Sequence, residues 1–249
     1  MVLSVFFLVI LACIAWQRFT SATTRPIDAQ QVFDPKPVLA QVSPSVVSIW
    51  AVRQAGQETH INVIGCGLIV DSRGLILTSV DLTDDIKSLY IIDSGNRKYQ
   101  AGIIATDKKT QLTLLKAELA DNEQPLTFEA AQLANFNRVK RGDTVFVLGG
   151  RRTPDSWELA AKTGRITDTH QSLVVKKVKY RNLIQTDVEL TAENAGGPLV
   201  NLEGEVLGFA LPFVRPEGGT AAFSYAVGVN QGKNFLARLP IPQWTQGAS

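Results

Sequence analysis

Cysteine, histidine and methionine are almost missing from this chain: its 249 residues contain two cysteines, two histidines and one methionine. Cys13 lies in an apolar amino-terminal run and Cys66 far along the sequence. The folded part therefore holds no internal disulfide, and its stability has to come from a packed core. Cys66 stands between two glycines at the start of an apolar stretch, the setting of a small buried thiol. His60 and His170 each occupy a polar, loop-like context, whereas zinc or copper sites need several nitrogen or sulfur ligands at short spacing. Both histidines read as surface residues, and neither a metal nor a cofactor is expected. An excess of one charge is lacking too. With 25 basic and 23 acidic residues the formal net charge is +2, so no strong field draws nucleic acid to the surface. The densest basic cluster is Lys176-Lys177-Val178-Lys179-Tyr180-Arg181. It alternates with apolar residues and reads as a half-exposed strand rather than a dedicated anion site.

Long apolar runs are absent except at residues 2–16. As a helix that run would be about 22 Å long at about 1.5 Å per residue, shorter than the roughly 30 Å of a hydrocarbon core. No Lys or Arg precedes it, and Thr20-Ser21-Ala22 is a poor cleavage signal, so residues 1–19 are expected to form an uncleaved signal anchor. Arg18 and Arg25 follow the segment and weigh slightly against export, a minor bias for a long domain. Ile10-Leu11-Ala12-Cys13 resembles a lipobox only loosely, because the apolar run continues past Cys13. Residues 20–37 are polar, carry Pro26, Pro35 and Pro37, and show no period, which marks a stalk. A folded domain is expected over 38–241 and a tail over 242–249.

Hydrophobic residues make up 45% of the chain and charged residues 19%, enough for one sizeable core. Short apolar runs at 46–50, 67–70, 74–77, 88–92, 112–115, 145–148, 172–175, 205–209 and 222–227 are separated by turn signals. That spacing predicts an all-β barrel or sandwich. Asp93-Ser94-Gly95-Asn96 and Leu202-Glu203-Gly204-Glu205 look like hairpin turns in which glycine supplies a positive φ. Phe235, Leu236 and Leu239 share one face of a helix expected over 230–239, and Pro240 and Pro242 stop it.

Three segments carry the functional signal. Gly65-Cys66-Gly67-Leu68-Ile69-Val70-Asp71 leads to Leu77-Thr78-Ser79-Val80-Asp81. Thr110-Gln111-Leu112-Thr113-Leu114-Leu115-Lys116 follows. Gln185-Thr186-Asp187 then leads to Glu193-Asn194-Ala195-Gly196-Gly197-Pro198-Leu199-Val200. Over most of residues 40–239 the chain resembles the HtrA (DegP-like) branch of trypsin-like serine proteases. Val42-Ser43-Pro44-Ser45-Val46-Val47-Ser48-Ile49, Arg141-Gly142-Asp143-Thr144-Val145-Phe146-Val147-Leu148-Gly149, Thr163-Gly164-Arg165-Ile166 and Ser224-Tyr225-Ala226-Val227 match further family strands. The resemblance implies a double β-barrel with a short carboxy-terminal helix.

Serine-protease chemistry uses a hydroxyl nucleophile, an imidazole base, a carboxylate that orients the imidazole, and backbone N–H groups facing the oxyanion. Aligned by its flanking residues, the family histidine falls on Asp81, the aspartate on Gln111 and the serine on Ala195. Glu193 replaces the glycine whose N–H helps build the oxyanion hole, next to Asn194. Asp187 occupies a family-typical strand position outside the catalytic centre. On these residues the chain is expected not to be an enzyme but a membrane-tethered pseudoprotease, a scaffold or accessory subunit for an extended peptide or protein. Proteases of this fold hold peptides by strand addition at the cleft edge, which would fall here on Ala192, Thr220, Ala222 and Ser224. The alternatives are a structural subunit of a membrane complex with a vestigial cleft, favoured by the absence of a PDZ segment after residue 244, or a degenerate protease that binds metal or is otherwise active. The domain is expected on the periplasmic or extracytoplasmic side.

Overall fold

Antiparallel pairing closes the short apolar runs into two barrels, with one face of each strand turned to the barrel interior. The computed structural model of the chain describes residues 33–82, 86–118, 127–152, 157–175, 177–214 and 223–241. The expected anchor (1–19), most of the stalk, Cys13 and the tail (242–249) lie outside them. Among the described residues no helix is long and apolar enough to cross a membrane. Residues 35–249 cluster as one unit.

The first barrel consists of β1 (Val46–Ala55), β2 (Glu58–Asp71), β3 (Leu75–Thr78), β4 (Ile86–Ile92), β5 (Lys98–Asp107) and β6 (Leu112–Glu118), closed in the order β1-β2-β3-β6-β5-β4. The second consists of β7 (Thr144–Arg152), β8 (Trp157–Val175), β9 (Val178–Thr186), β10 (Pro198–Val200), β11 (Val206–Leu211) and β12 (Ser224–Gly228), closed in the order β10-β11-β12-β9-β8-β7. All the strand pairs are antiparallel. Closure gives every strand two neighbours but does not pair it along its whole length: β8 pairs only with β7 over Trp157–Arg165 and only with β9 over Ile166–Val175. Inward residues fill each barrel: Val47, Ile49, Ile69, Ile76, Leu89, Ile91 and Leu115 in the first, and Val145, Val147, Ile166, Ile184, Leu199 and Leu207 in the second. Burying each such side chain contributes about 1.5–3 kcal/mol.

Two further contacts join the barrels. The connecting segment is bonded to both, through Ala131 N–H to the Ile69 carbonyl and Ala134 N–H to the Val206 carbonyl. Helix α2 (Val229–Ala237) lays Gly232 against Leu77 of β3 and Phe209 of β11. Leu77 is fully buried although it points away from the interior occupied by Ile76.

Four expectations need correction. The domain does not start from an aperiodic stalk at residue 38, because α1 (Lys36–Val42) begins with Pro37 in its first turn and buries Val38 and Val42 on one side. Proline is tolerated there since the N–H it lacks has no intrahelical partner anyway. In the Asp93–Asn96 turn it is Asn96, not Gly95, that takes the positive φ of 60°. The Asp93 carboxylate holds this turn by accepting the Gly95 and Arg97 N–H groups. His60 and His170 stand in strands β2 and β8 rather than loops. Strand β5 was not expected, because a register shift between Ile103 and Ala105 breaks its alternation and exposes both Ile103 and Ile104.

Candidate functional site

The segment from Thr191 to Pro198 is fixed on every side. A capping box starts it: the Asn194 Oδ1 accepts the Thr191 N–H and hydroxyl, each at 3.1 Å, and a 3-10 turn runs over Ala192–Asn194. The Ala195 N–H donates to the Ala192 carbonyl at 3.1 Å, so this donor faces its own turn. The Ala195 carbonyl accepts the Cys66 N–H at 2.7 Å, and the buried Ala195 methyl joins the core of the first barrel, although the chain runs on into β10 of the second.

Glycine is required where this loop meets its neighbours. Gly196 has φ +71°, and a Cβ there would come within 2.3 Å of the Cys66 carbonyl. A Cβ on Gly197, whose φ is ordinary, would lie 2.0 Å from the Leu148 carbonyl oxygen. Cys66 is fully buried beneath the loop, and its thiol donates to the Glu193 carbonyl at 3.6 Å. Burial, opposed by a hydrogen bond from the backbone at Gly150 and reinforced by the charge of Glu193, pushes the thiol up to about 12. It is a protonated packing group at neutral pH, not a thiolate nucleophile. The Glu193 side chain itself is exposed.

Two hydroxyls from the end of β3 complete the frame. The Thr78 Oγ1 donates to the Cys66 carbonyl at 2.7 Å and accepts the Val80 N–H. The Ser79 Oγ donates to the Ala210 carbonyl of the other barrel at 2.6 Å. Val80 packs in the same cluster as Ala195, which places Asp81 at the edge of the loop's footing. Asp81 is exposed, and its charge, after burial, helps raise the pKa of Tyr180 on β9. Gln111 immediately precedes β6, two residues before Thr113, whose strand partner is Thr78. Its backbone has φ 60°, and its side-chain amide donates back to the Lys108 carbonyl at 2.7 Å, within its own turn. The elements bearing positions 81, 111 and 195 thus converge, and the groups they carry are a carboxylate, an amide and a methyl.

Of the expected peptide-binding residues, Ala192 is exposed and Ser224 is half-buried at the start of β12. The Ser224 hydroxyl accepts the Leu190 N–H at 3.2 Å and so ties β12 to the base of the loop. Thr220 and Ala222 lie outside the described residues. Asp187 has a structural role, its carboxylate accepting the Arg165 N–H at 2.6 Å. His60 lies 3.5 Å from Glu58, and His170 bonds to the Thr169 hydroxyl and stacks edge-on against Phe136. Among the described residues no three His, Cys, Asp or Glu side chains are grouped to hold a metal ion. Sequence reasoning missed Tyr180, Ser79 and the capping box. Only the box had a local signal, Thr191 three residues before Asn194.

Two antiparallel barrels with a glycine-braced loop between them define the trypsin-like class of fold. Residues 65–209 match the trypsin-like peptidase domain family, and the chain belongs to it. Over 176 residues, 70% of this chain and 23% of the relative, it is 34% identical to the magnetosome formation protease MamE of Paramagnetospirillum magneticum. It is 26% identical over 185 residues to the periplasmic serine endoprotease DegP of Salmonella typhimurium, covering 74% of this chain and 37% of DegP. It is 25% identical over 254 residues to a probable periplasmic DegP-like serine endoprotease of Buchnera aphidicola, covering 90% of this chain and 53% of that protein. The chain spans about a quarter to about half of the length of these relatives.

These matches correct the expectation that the chain is not an enzyme. The relatives are named proteases and the shared family is a peptidase family. That expectation extended three positions, aligned by their flanks, to the standing of the whole chain, whereas the family match rests on the full stretch 65–209.

Proposed function

We propose that this trypsin-like peptidase family member works outside the cytoplasm, held at a membrane by its amino-terminal apolar run, and engages an extended polypeptide beside the Thr191–Pro198 loop. The names of the DegP relatives, which place those proteins in the periplasm, support the location. Strand addition supports the mode of binding, because it uses main-chain hydrogen bonds and does not depend on the side chains at positions 81, 111 and 195. In this reading the chain presents or docks polypeptides within a larger protein assembly.

The observation that carries the proposal is how firmly the loop is held. Cys66, Thr78 and Leu148 brace it from both barrels, while Ala192 and the start of β12 stay accessible, with Phe223 42% exposed. A rigid, pre-formed edge lowers the ordering cost of capturing an extended chain.

The test is fluorescence anisotropy of a labelled, unfolded peptide titrated with the full chain. Phe223→Pro removes a backbone donor just before β12, and Ala192→Arg places bulk and charge on the loop. Each is expected to weaken binding about tenfold or more while leaving the melting transition in place, since both positions are exposed. Unchanged affinity in both folded variants would move the binding site elsewhere.

A further inference from the structure

The second barrel, the first barrel and α2 together form a cleft of about 570 Å3 whose charge the peptide-binding reading leaves unused. Lys109 comes from the turn between β5 and β6, Lys179 and Arg181 come from β9, and Arg238 directly follows α2. Residues two apart on a strand share a face. Lys179 and Arg181 therefore point together into the cleft, while Tyr180 between them is buried on the opposite side.

The single carboxylate lining the cleft is already engaged. Asp107 accepts Arg238 at 2.5 Å and the Lys109 N–H at 3.0 Å. Burial opposes its ionisation, but these bonds outweigh burial and hold its carboxyl below the usual range. Among the described residues no carboxylate pairs with the side chains of Lys109, Lys179 or Arg181. The wall is also fixed, because the Gln231 amide on α2 donates to the Arg181 and Asn182 carbonyls at 3.2 and 3.0 Å.

We propose that this cleft binds a phosphate-bearing ligand, so that Lys179 and Arg181, which the sequence marks only as part of a half-exposed strand, belong to an anion site completed by Lys109 from the other barrel. Three uncompensated cations from two barrels match a group carrying two or more negative charges, which a phosphate supplies and a single carboxylate does not. The planar donors of Arg181 suit paired phosphate oxygens, and the lysines act as point charges beside them. The cleft is larger than a lone phosphate, which leaves space for what the phosphate is attached to. A soluble phosphate ester and a lipid headgroup present the same chemistry to this open site.

Isothermal titration of the full chain in neutral detergent, first with inorganic pyrophosphate and then with short-chain phosphatidic acid, tests the proposal and separates the two sources. Saturable one-to-one binding that weakens as salt is raised is expected. Tighter binding of pyrophosphate assigns the site to soluble phosphates, and tighter binding of phosphatidic acid assigns it to a membrane lipid. Lys179→Glu with Arg181→Glu should weaken binding by about tenfold or more. Lys109→Ala, on a different element, should weaken it about threefold, and Lys140→Glu, which lies outside the cleft, should leave it unchanged. No saturable binding of either compound, or equal affinity in the folded Lys109→Ala and double variants, overturns the proposal.

Discussion

Replacing Gly197 by alanine tests the loop geometry directly, because the substitution adds a single methyl group at an ordinary φ. That methyl would sit 2.0 Å from the Leu148 carbonyl oxygen. Non-bonded carbon and oxygen settle at about 3.3 Å or more, so the loop and β7 must part by over about 1 Å. Neither side yields easily. The Gly197 N–H is bonded to the Asn194 carbonyl at 3.0 Å, and its carbonyl accepts the Ala210 N–H at 2.9 Å. Just beyond, Leu199 pairs with Val147 of β7. Overpacking of this kind costs about 1–3 kcal/mol, and each main-chain hydrogen bond lost adds about 1 kcal/mol. The sum is about 3–5 kcal/mol, which for a domain of this size lowers Tm by roughly 6–20 °C. Gly142→Ala is the comparison: its φ is +94° and nothing lies within 4 Å of the added carbon, so only the backbone penalty of about 1–2 kcal/mol applies. Calorimetry or far-UV thermal melts of the two variants beside the parent decide the matter. A Gly197→Ala variant that melts with the parent, or above Gly142→Ala, would refute the close approach of loop and β7.

Two further outcomes follow from groups around the loop. The Cys66 thiol ionises near 9 when unfolded and at about 12 when folded. Its contribution is therefore complete below about pH 9 and falls by about 1.4 kcal/mol per pH unit as pH rises from there towards 12. Urea melts of parent and Cys66→Ala at pH 7 and pH 10.5 should show the parent's advantage shrinking or reversing at the higher pH; a constant difference would contradict the burial of the thiol. Ser79→Ala removes the bond to Ala210 but does not orphan that carbonyl, which still accepts the Gly196 N–H at 3.1 Å. A loss of about 0.5–1.5 kcal/mol is expected in chemical denaturation, and a loss above about 3 kcal/mol would mean that Ser79 carries more than a single bond.

The barrels were legible in the sequence where short apolar runs stood between turn signals. The runs at 46–50 and 145–148 became β1 and β7, buried on both faces, and the run at 88–92 became β4, buried on one. Strand β5 was not legible because its bulge places Ile103 and Ile104 outward in succession, and a period-two pattern cannot register that. The helix at Lys36–Val42 was hidden behind two prolines read as breakers, although a first-turn proline is compatible with a helix. At the site, the local pattern marked the segments around 81, 111 and 195 as candidates. It did not reveal that the Gln111 amide turns back to Lys108, or that Asp81 lies within electrostatic reach of Tyr180. Those contacts join residues that no local pattern connects.

The position of Ala195 bears on how the chain reaches its native state. Its methyl group completes the interior of a barrel whose own strands end at Glu118, and Ser79 is latched to Ala210, 131 residues later. A chain delivered from its amino end would hold all six strands of the first barrel before the piece that finishes them arrives. Native pairings this far apart in sequence form slowly. During synthesis the first half should therefore wait in an incomplete, aggregation-prone form, and the two halves should then lock together in one cooperative step rather than in succession.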